Sequence, residues 1–108
     1  MVATPQGSQI RPLIDRTTSG ITACSLAEEI LPPGRAVTPH RHRQIEEIYY
    51  IVSGAGVMTV GAERREVGPG DAIYTRETRH TLENTGDTPI RLLLVCGPAF
   101  FHEDSVFD

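Results

Sequence analysis

Residues able to bind a divalent cation cluster near the middle of the sequence. In Pro39-His40-Arg41-His42 two histidines stand two residues apart, so on a strand both imidazoles leave the same face, about 6.6 Å apart along the chain. With metal–nitrogen bonds near ~2.1 Å both rings can lean onto one ion, which histidines on opposite faces could not do. Alone, such a pair on a strand is more often two solvated side chains than a metal site. Glu47 follows His42 by an odd offset, which points it away from the histidines if the strand runs straight through. A common face requires a break, and Arg43-Gln44-Ile45 can supply the turn or bulge; Glu47, Tyr49 and Ile51 then share one side, and Glu46, Ile48 and Tyr50 the other. A register displaced by one residue would make Glu46 the ligand instead. Farther on, His80 opens the run His80-Thr81-Leu82-Glu83-Asn84; by itself it reads as a structural histidine.

Taken together, Gly34, His40, His42, Glu47 and Gly54 resemble the first motif of the cupin superfamily, G-x5-HxH-x4-E-x6-G, at every anchor and spacing. Gly68-Pro69-Gly70-Asp71, followed by His80 and Asn84, is similar to the second motif, G-x5-PxG-x2-H-x3-N, with the short gap between motifs found in compact microbial cupins. The resemblance runs from about Ile21 to Pro98. There is one departure: where the family has Pro-x-Gly, this chain has Thr75-Arg76-Glu77, and Gly70 is one residue closer to His80 than the pattern asks, so the turn before His80 must be rebuilt. The resemblance implies an all-β fold, the cupin double-stranded β-helix or jelly-roll barrel, and a metal held by His40, His42, Glu47 and His80.

Three neutral imidazoles and a carboxylate leave a divalent ion with residual positive charge and, in octahedral geometry, two adjacent open positions for substrate or O₂. That set suits Fe, Mn, Co or Ni, and Zn remains compatible although it more often takes three protein ligands and a water. The expected cofactor is a divalent transition metal in each chain. The expected function is a metal-dependent enzyme on a small polar molecule, either a dioxygenase or a lyase, isomerase or rearrangement enzyme using the metal as Lewis acid. The stretch Glu46 to Ile51 also resembles cupin modules attached to amino-acid-activating enzymes that join two amines through an N–N bond, which keeps a zinc-type rearrangement open. The alternative is a non-catalytic module or accessory subunit that binds a metal or small ligand; fold and ligands do not separate the two. Tyr49, on the face of Glu47, is the candidate catalytic residue, because a phenol beside a metal can act as acid, base or donor. Leu82 is a second candidate for lining the pocket, with packing the commoner reading for both it and Tyr49; Gln44 and Arg35 are weaker candidates, since turn residues of their type are usually solvated. The closing run through His102 and Glu103 is similar to segments that cross the barrel mouth in small cupins, though a solvated tail fits equally well.

The elements that must position these side chains read as strands. Alternation, β-branched residues and frequent Gly/Pro punctuation dominate, and no window of helical length keeps a 3.6-residue period. Strands are expected over Ile21 to Leu31, Ala36 to His42, Glu46 to Ser53, Val57 to Val60, Arg64 to Val67, Ala72 to Thr75, His80 to Asn84 and Ile90 to Val95. Turn sequences such as Pro32-Pro33-Gly34 and Gly68-Pro69-Gly70 separate them. The expected organisation is an N-terminal arm over 1–20, a barrel over 21–98 and a C-terminal arm over 99–108.

A chain of 108 residues accommodates one domain. A net charge of -4 without a clustered basic face argues against nucleic acid or an anionic membrane as partner and favours a small molecule. No apolar run approaches the roughly 20 residues of a membrane helix, and the start is polar, so a cytoplasmic location is expected. Cys24 and Cys96 lie in apolar strand-like runs and read as reduced core residues. Exposed edges in a small barrel need cover, which suggests a homodimer.

Overall fold

The computed structural model describes residues 2–108. The strands, in chain order, are β1 (Val2–Ala3), β2 (Gln9–Ile14), β3 (Ser25–Leu31), β4 (Arg41–His42), β5 (Glu46–Ser53), β6 (Gly56–Val60), β7 (Glu63–Val67), β8 (Ala72–Thr75), β9 (His80–Glu83), β10 (Ile90–Gly97) and β11 (Ser105–Val106), with a single 3-10 turn at His102–Asp104. All pairings are antiparallel. A large sheet runs β1-β2-β3-β10-β5-β8, a smaller one runs β7-β6-β9, and β11 pairs with β4. The two main sheets pack face to face as a jelly-roll barrel, as the alternation implies. Among the described residues no helix is long and apolar enough to cross a membrane.

The barrel closes around a core that is largely apolar. Leu31, Val37, Tyr49, Ile51, Met58, Val67, Leu82, Ile90 and Leu92 form one buried cluster, with Val60, Ile73 and Leu94 packed against it. Each fully buried aliphatic side chain stabilises the fold by roughly 1.5–3 kcal/mol relative to exposure. β5 shows the period-2 rule directly: Glu47, Tyr49 and Ile51 are buried while Glu46, Ile48 and Tyr50 are exposed. The break expected at Arg43 to Ile45 is present, since β4 ends at His42 and β5 begins at Glu46. Gly54, the last anchor of the first motif, turns the chain out of β5 with φ +82°, and a Cβ there would stand 2.5 Å from the Pro89 carbonyl oxygen. Only glycine fits both conditions.

Several sequence expectations shift. The expected strand Ala36 to His42 survives only as β4 plus isolated bridges, Ala36 to Glu83 and His40 to His80. Pro39 has no N–H to give a ladder, and the Thr38 N–H goes to the Gln6 side chain. β3 starts at Ser25 rather than Ile21, which leaves Cys24 exposed, against the core expectation; Cys96 is buried as expected, and both thiols are free. Neither flank is a loose arm. The N-terminal flank supplies β2, hydrogen-bonded along β3, and the C-terminal flank supplies β11, hydrogen-bonded to β4. Both flanks were disguised by length or composition: β2 contains Pro12, tolerated because it lies in an outlying strand, and β11 is only two residues long.

Candidate metal centre

The protein has four histidines, and three of them converge. His42 comes from β4, Glu47 from the inward face of β5 and His80 from the first residue of β9. His40, just before β4, exchanges backbone hydrogen bonds with His80, N–H to carbonyl at 3.1 and 2.8 Å. Each residue offers one donor atom, and the four atoms lie within 4.8 Å of one another. The imidazole centroids are 5.0 Å apart for His40 and His42, 4.5 Å for His40 and His80, and 5.7 Å for His42 and His80. His42, Glu47 and His80 are buried and His40 is half-buried.

Hydrogen bonding decides which ring nitrogens point inward. A carbonyl oxygen only accepts, so His40 Nδ1, 2.7 Å from the Thr38 carbonyl, and His80 Nδ1, 2.9 Å from the Thr78 carbonyl, must be the protonated nitrogens. With Nδ1 protonated, Nε2 of His40 and of His80 is the nitrogen left to face the centre. His80 Nε2 lies 3.3 Å from Glu47 Oε1, and His42 Nε2 lies 3.2 Å from the same oxygen. Either a proton on Nε2 or a cation among these atoms makes the contacts attractive, and a divalent ion would satisfy all four donors together. The residues present therefore fit a metal by their chemistry.

Burial lowers the pKa of His40, leaving its ring neutral at pH 7. Burial acts to raise the pKa of Glu47, but its contacts with His42 and His80 outweigh this and bring it down to about 2, so it is a carboxylate. Its second oxygen, Oε2, faces the Cys96 thiol at 3.6 Å. Burial, reinforced by the Glu47 charge, drives the Cys96 pKa far upward, so the sulfur keeps its proton.

Glu46, the alternative ligand, faces outward and accepts a hydrogen bond from Tyr74 Oη at 2.7 Å. Tyr49 stands inside the barrel with its ring edge-on to His80 at 5.7 Å. Burial and the nearby Glu47 charge raise its pKa well above the ordinary value, which leaves a neutral phenol. Leu82 is fully buried in the core. Gln44 and Arg35 have exposed side chains, and His102 and Glu103 are exposed on the 3-10 turn. A cleft of about 260 Å³ between β6–β7 and β8, lined by Met58, Val60, Ile73 and Arg65 among others, contains none of the four converging residues.

Sequence reasoning missed Asp104. Its buried carboxylate accepts the backbone N–H groups of Gln44 and Ile45 at 2.9 Å each, and its Oδ2 lies 3.5 Å from His42 Nδ1. The turn that brings Glu47 onto the histidine face is thus closed by a residue almost 60 positions downstream. An acid in an aromatic-rich segment gave no local signal for that role. The backbone carbonyls of Thr38 and Thr78 were missed for a related reason, because sequence carries no record of which carbonyl a ring nitrogen will find.

All ten basic residues are arginines. Arg41 and Arg43 flank His42, and Arg76 and Arg79 lie in the loop before His80. Arg41 pairs with Asp108 at 3.2 Å and Arg76 lies 3.8 Å from Glu77. Arg43 and Arg79 are exposed and form no salt bridge among the described residues.

Several known proteins are similar to this chain. A family model described as a cupin domain matches residues 27–96. An uncharacterized protein of Methanocaldococcus jannaschii is 42% identical over 94% of this chain and 82% of its own length. An oxalate-binding protein of Thermotoga maritima is 39% identical over 60% of this chain, and the match spans only 54% of that relative. Among solved structures, one described as a predicted oxalate decarboxylase from Thermotoga maritima superposes with a TM-score of 0.77, with 32% identity over 84% of this chain and 80% of that one.

Proposed function

Because the chain belongs to the cupin family, we propose that it is a metal-dependent enzyme that binds a small, polar, anionic molecule at an ion held by His40, His42, Glu47 and His80. The observation that carries this reading is the convergence of four donor atoms within 4.8 Å of one another, with Nε2 of His42 and of His80 at 3.2 and 3.3 Å from Glu47 Oε1. A divalent Fe, Mn, Co, Ni or Zn ion in that set would supply Lewis acidity and open positions for substrate or O₂. Thr38 and Thr78 hold His40 and His80 in the tautomer that such binding needs. Glu47 lowers the net charge of the site while Cys96 steadies its second oxygen. Tyr49, neutral and buried against His80, is a proton donor rather than a base.

The unpaired Arg43 and Arg79 beside the ligand loops favour an anion, and the oxalate-binding relative points to carboxylates as the class to try first. That relative's description also favours a second reading, a binder without turnover. Elemental analysis of protein purified without added metal is expected to give near-stoichiometric transition metal, lost in a His40→Ala, His42→Ala double variant; metal surviving that change refutes the site. Oxygen uptake and product analysis with the Fe(II) and Mn(II) forms and small carboxylates separate enzyme from binder, since retained affinity without turnover on any of them favours the binder.

The outward face of the large sheet bears Ile48, Tyr74 and Val95 in cross-strand register, with Tyr50 beside them, all at least 36% exposed. We propose that a second copy covers this face, giving a homodimer. Sedimentation as a monomer at working concentration refutes it.

A further inference from the structure

Two of the three converging histidines are held by the same local device. His40 Nδ1 meets the carbonyl two residues upstream, Thr38, and His80 Nδ1 meets the carbonyl two residues upstream, Thr78. His42 does not use it: the carbonyl two residues upstream belongs to His40 and accepts the His80 N–H at 2.8 Å. Its Nδ1 is a buried nitrogen with no hydrogen-bond partner among the described residues. The acceptor that faces it is the Asp104 carboxylate, 3.5 Å away through Oδ2 and only 4% exposed.

The segment around Asp104 is fastened to the same loop at several points. The Asp104 carbonyl accepts the Arg43 N–H, Ser105 pairs with His42, Val106 pairs with Arg41, and the Phe107 ring lies 5.8 Å from the His40 ring. Its carboxylate also takes the Gln44 and Ile45 N–H groups. A carboxylate has lone pairs enough for both amides and an imidazole N–H.

We propose that Asp104 is a positioning residue for the metal centre: it holds His42 by Nδ1–H and sets the turn that aims Glu47 at the same point. The proposal rests on the metal-binding reading above. Outer partners of this kind fix the orientation of a ligating ring, and their loss typically weakens metal binding by about 10- to 100-fold. Asn in place of Asp104 keeps the shape, but its amide would turn a donor toward an amide N–H or toward His42.

The test uses metal-free full-length protein titrated with Co(II) alone, read by visible absorption and by competition with a chelator. Asp104→Asn is expected to bind cobalt about 10- to 100-fold more weakly, with altered absorption bands. Glu28→Gln, which removes the charge that pairs with Arg11 and Arg91 on the outer sheet face, serves as the control for lost stability and is expected to bind as the parent does. Parent-like affinity and spectrum in Asp104→Asn overturn the proposal, and so does an equal loss in Glu28→Gln. In the zinc-loaded parent, nitrogen NMR is expected to show His42 protonated at Nδ1 and slow to exchange; a deprotonated Nδ1 overturns the proposal even if the variant fails to fold. A parent chain that takes up no cobalt overturns the metal reading itself, and the proposal with it.

Discussion

Replacing Asn84 with Ala tests whether the last residue of the second motif serves the metal or the fold. Its side-chain amide donates to the Leu31 and Thr88 carbonyls at 2.9 Å each, and its oxygen accepts the Gly86 N–H at 3.0 Å. The residue is 3% exposed, so water cannot replace these bonds without opening the structure. At about 1 kcal/mol net for each bond, the loss is about 3 kcal/mol. That is a large part of the roughly 5–15 kcal/mol that holds a domain together. With an unfolding entropy of ~2.1 cal/mol/K per residue, a chain of this length loses about 13 °C of melting temperature. The assay is thermal unfolding followed by circular dichroism in chelator, beside a Co(II) titration of the same variant below its transition. A drop under about 4 °C together with weakened cobalt binding would refute the reasoning, because Asn84 would then act on the centre rather than on the joint between β3, β9 and the turn at 84–88.

Three further outcomes follow from other parts of the molecule. In Gly56→Ala the new Cβ would stand 2.3 Å from the Glu83 carbonyl oxygen and 2.7 Å from Ile90 Cδ1; β6 must move off β9, at a cost of about 1–3 kcal/mol, and an unchanged denaturation midpoint contradicts it. A thiol reagent at neutral pH is expected to label the exposed Cys24 quickly and the buried, protonated Cys96 only on unfolding; fast labelling of both in the native protein refutes the burial of Cys96. Burial raises the pKa of Glu29 above the usual 4.5, against the opposing hydrogen bonds from Ser8 and Gln6. An acid whose folded pKa is raised costs no stability below 4.5, where both states are protonated, and costs progressively more as pH rises through the folded value. Glu29→Gln is therefore expected to raise the melting temperature at pH 7 and to lose that advantage toward pH 4; a gain that grows on acidification contradicts the sign.

Much of the centre was legible because it is written in local spacing. The offset between His40 and His42, the need for a break before Glu47 and the alternation along β5 follow from strand geometry, and the structure shows the break and the alternation. His80 needed the family pattern, since a single histidine at the start of a strand has no spacing to declare it. The flanks were not legible. Ser105 and Val106 pair with Arg41 and His42 across more than sixty residues, and a two-residue strand has no periodicity to detect. Gln6, whose Nε2 bonds to Glu29 and whose oxygen accepts the Thr38 N–H, looks like any polar residue near a chain end. Cys24 was placed inside because apolar neighbours extended the apparent strand, whereas β3 begins one residue later.

The composition of β5 has a consequence for how the chain reaches this structure. Glu46-Glu47 and Tyr49-Tyr50 are doublets, so a strand slipped by one residue would again turn a glutamate, a tyrosine and an isoleucine toward the interior. Such a decoy differs little in what it buries, and patterning alone gives the folding chain a weak basis for rejecting it. What tells the two apart lies just upstream. Ile45 is fully buried and would be drawn out of place, and the Gln44 and Ile45 amides would miss Asp104. The same carboxylate that steadies a histidine thus acts as a proofreading latch, rewarding only the alignment in which Glu47, and not its twin, enters the barrel.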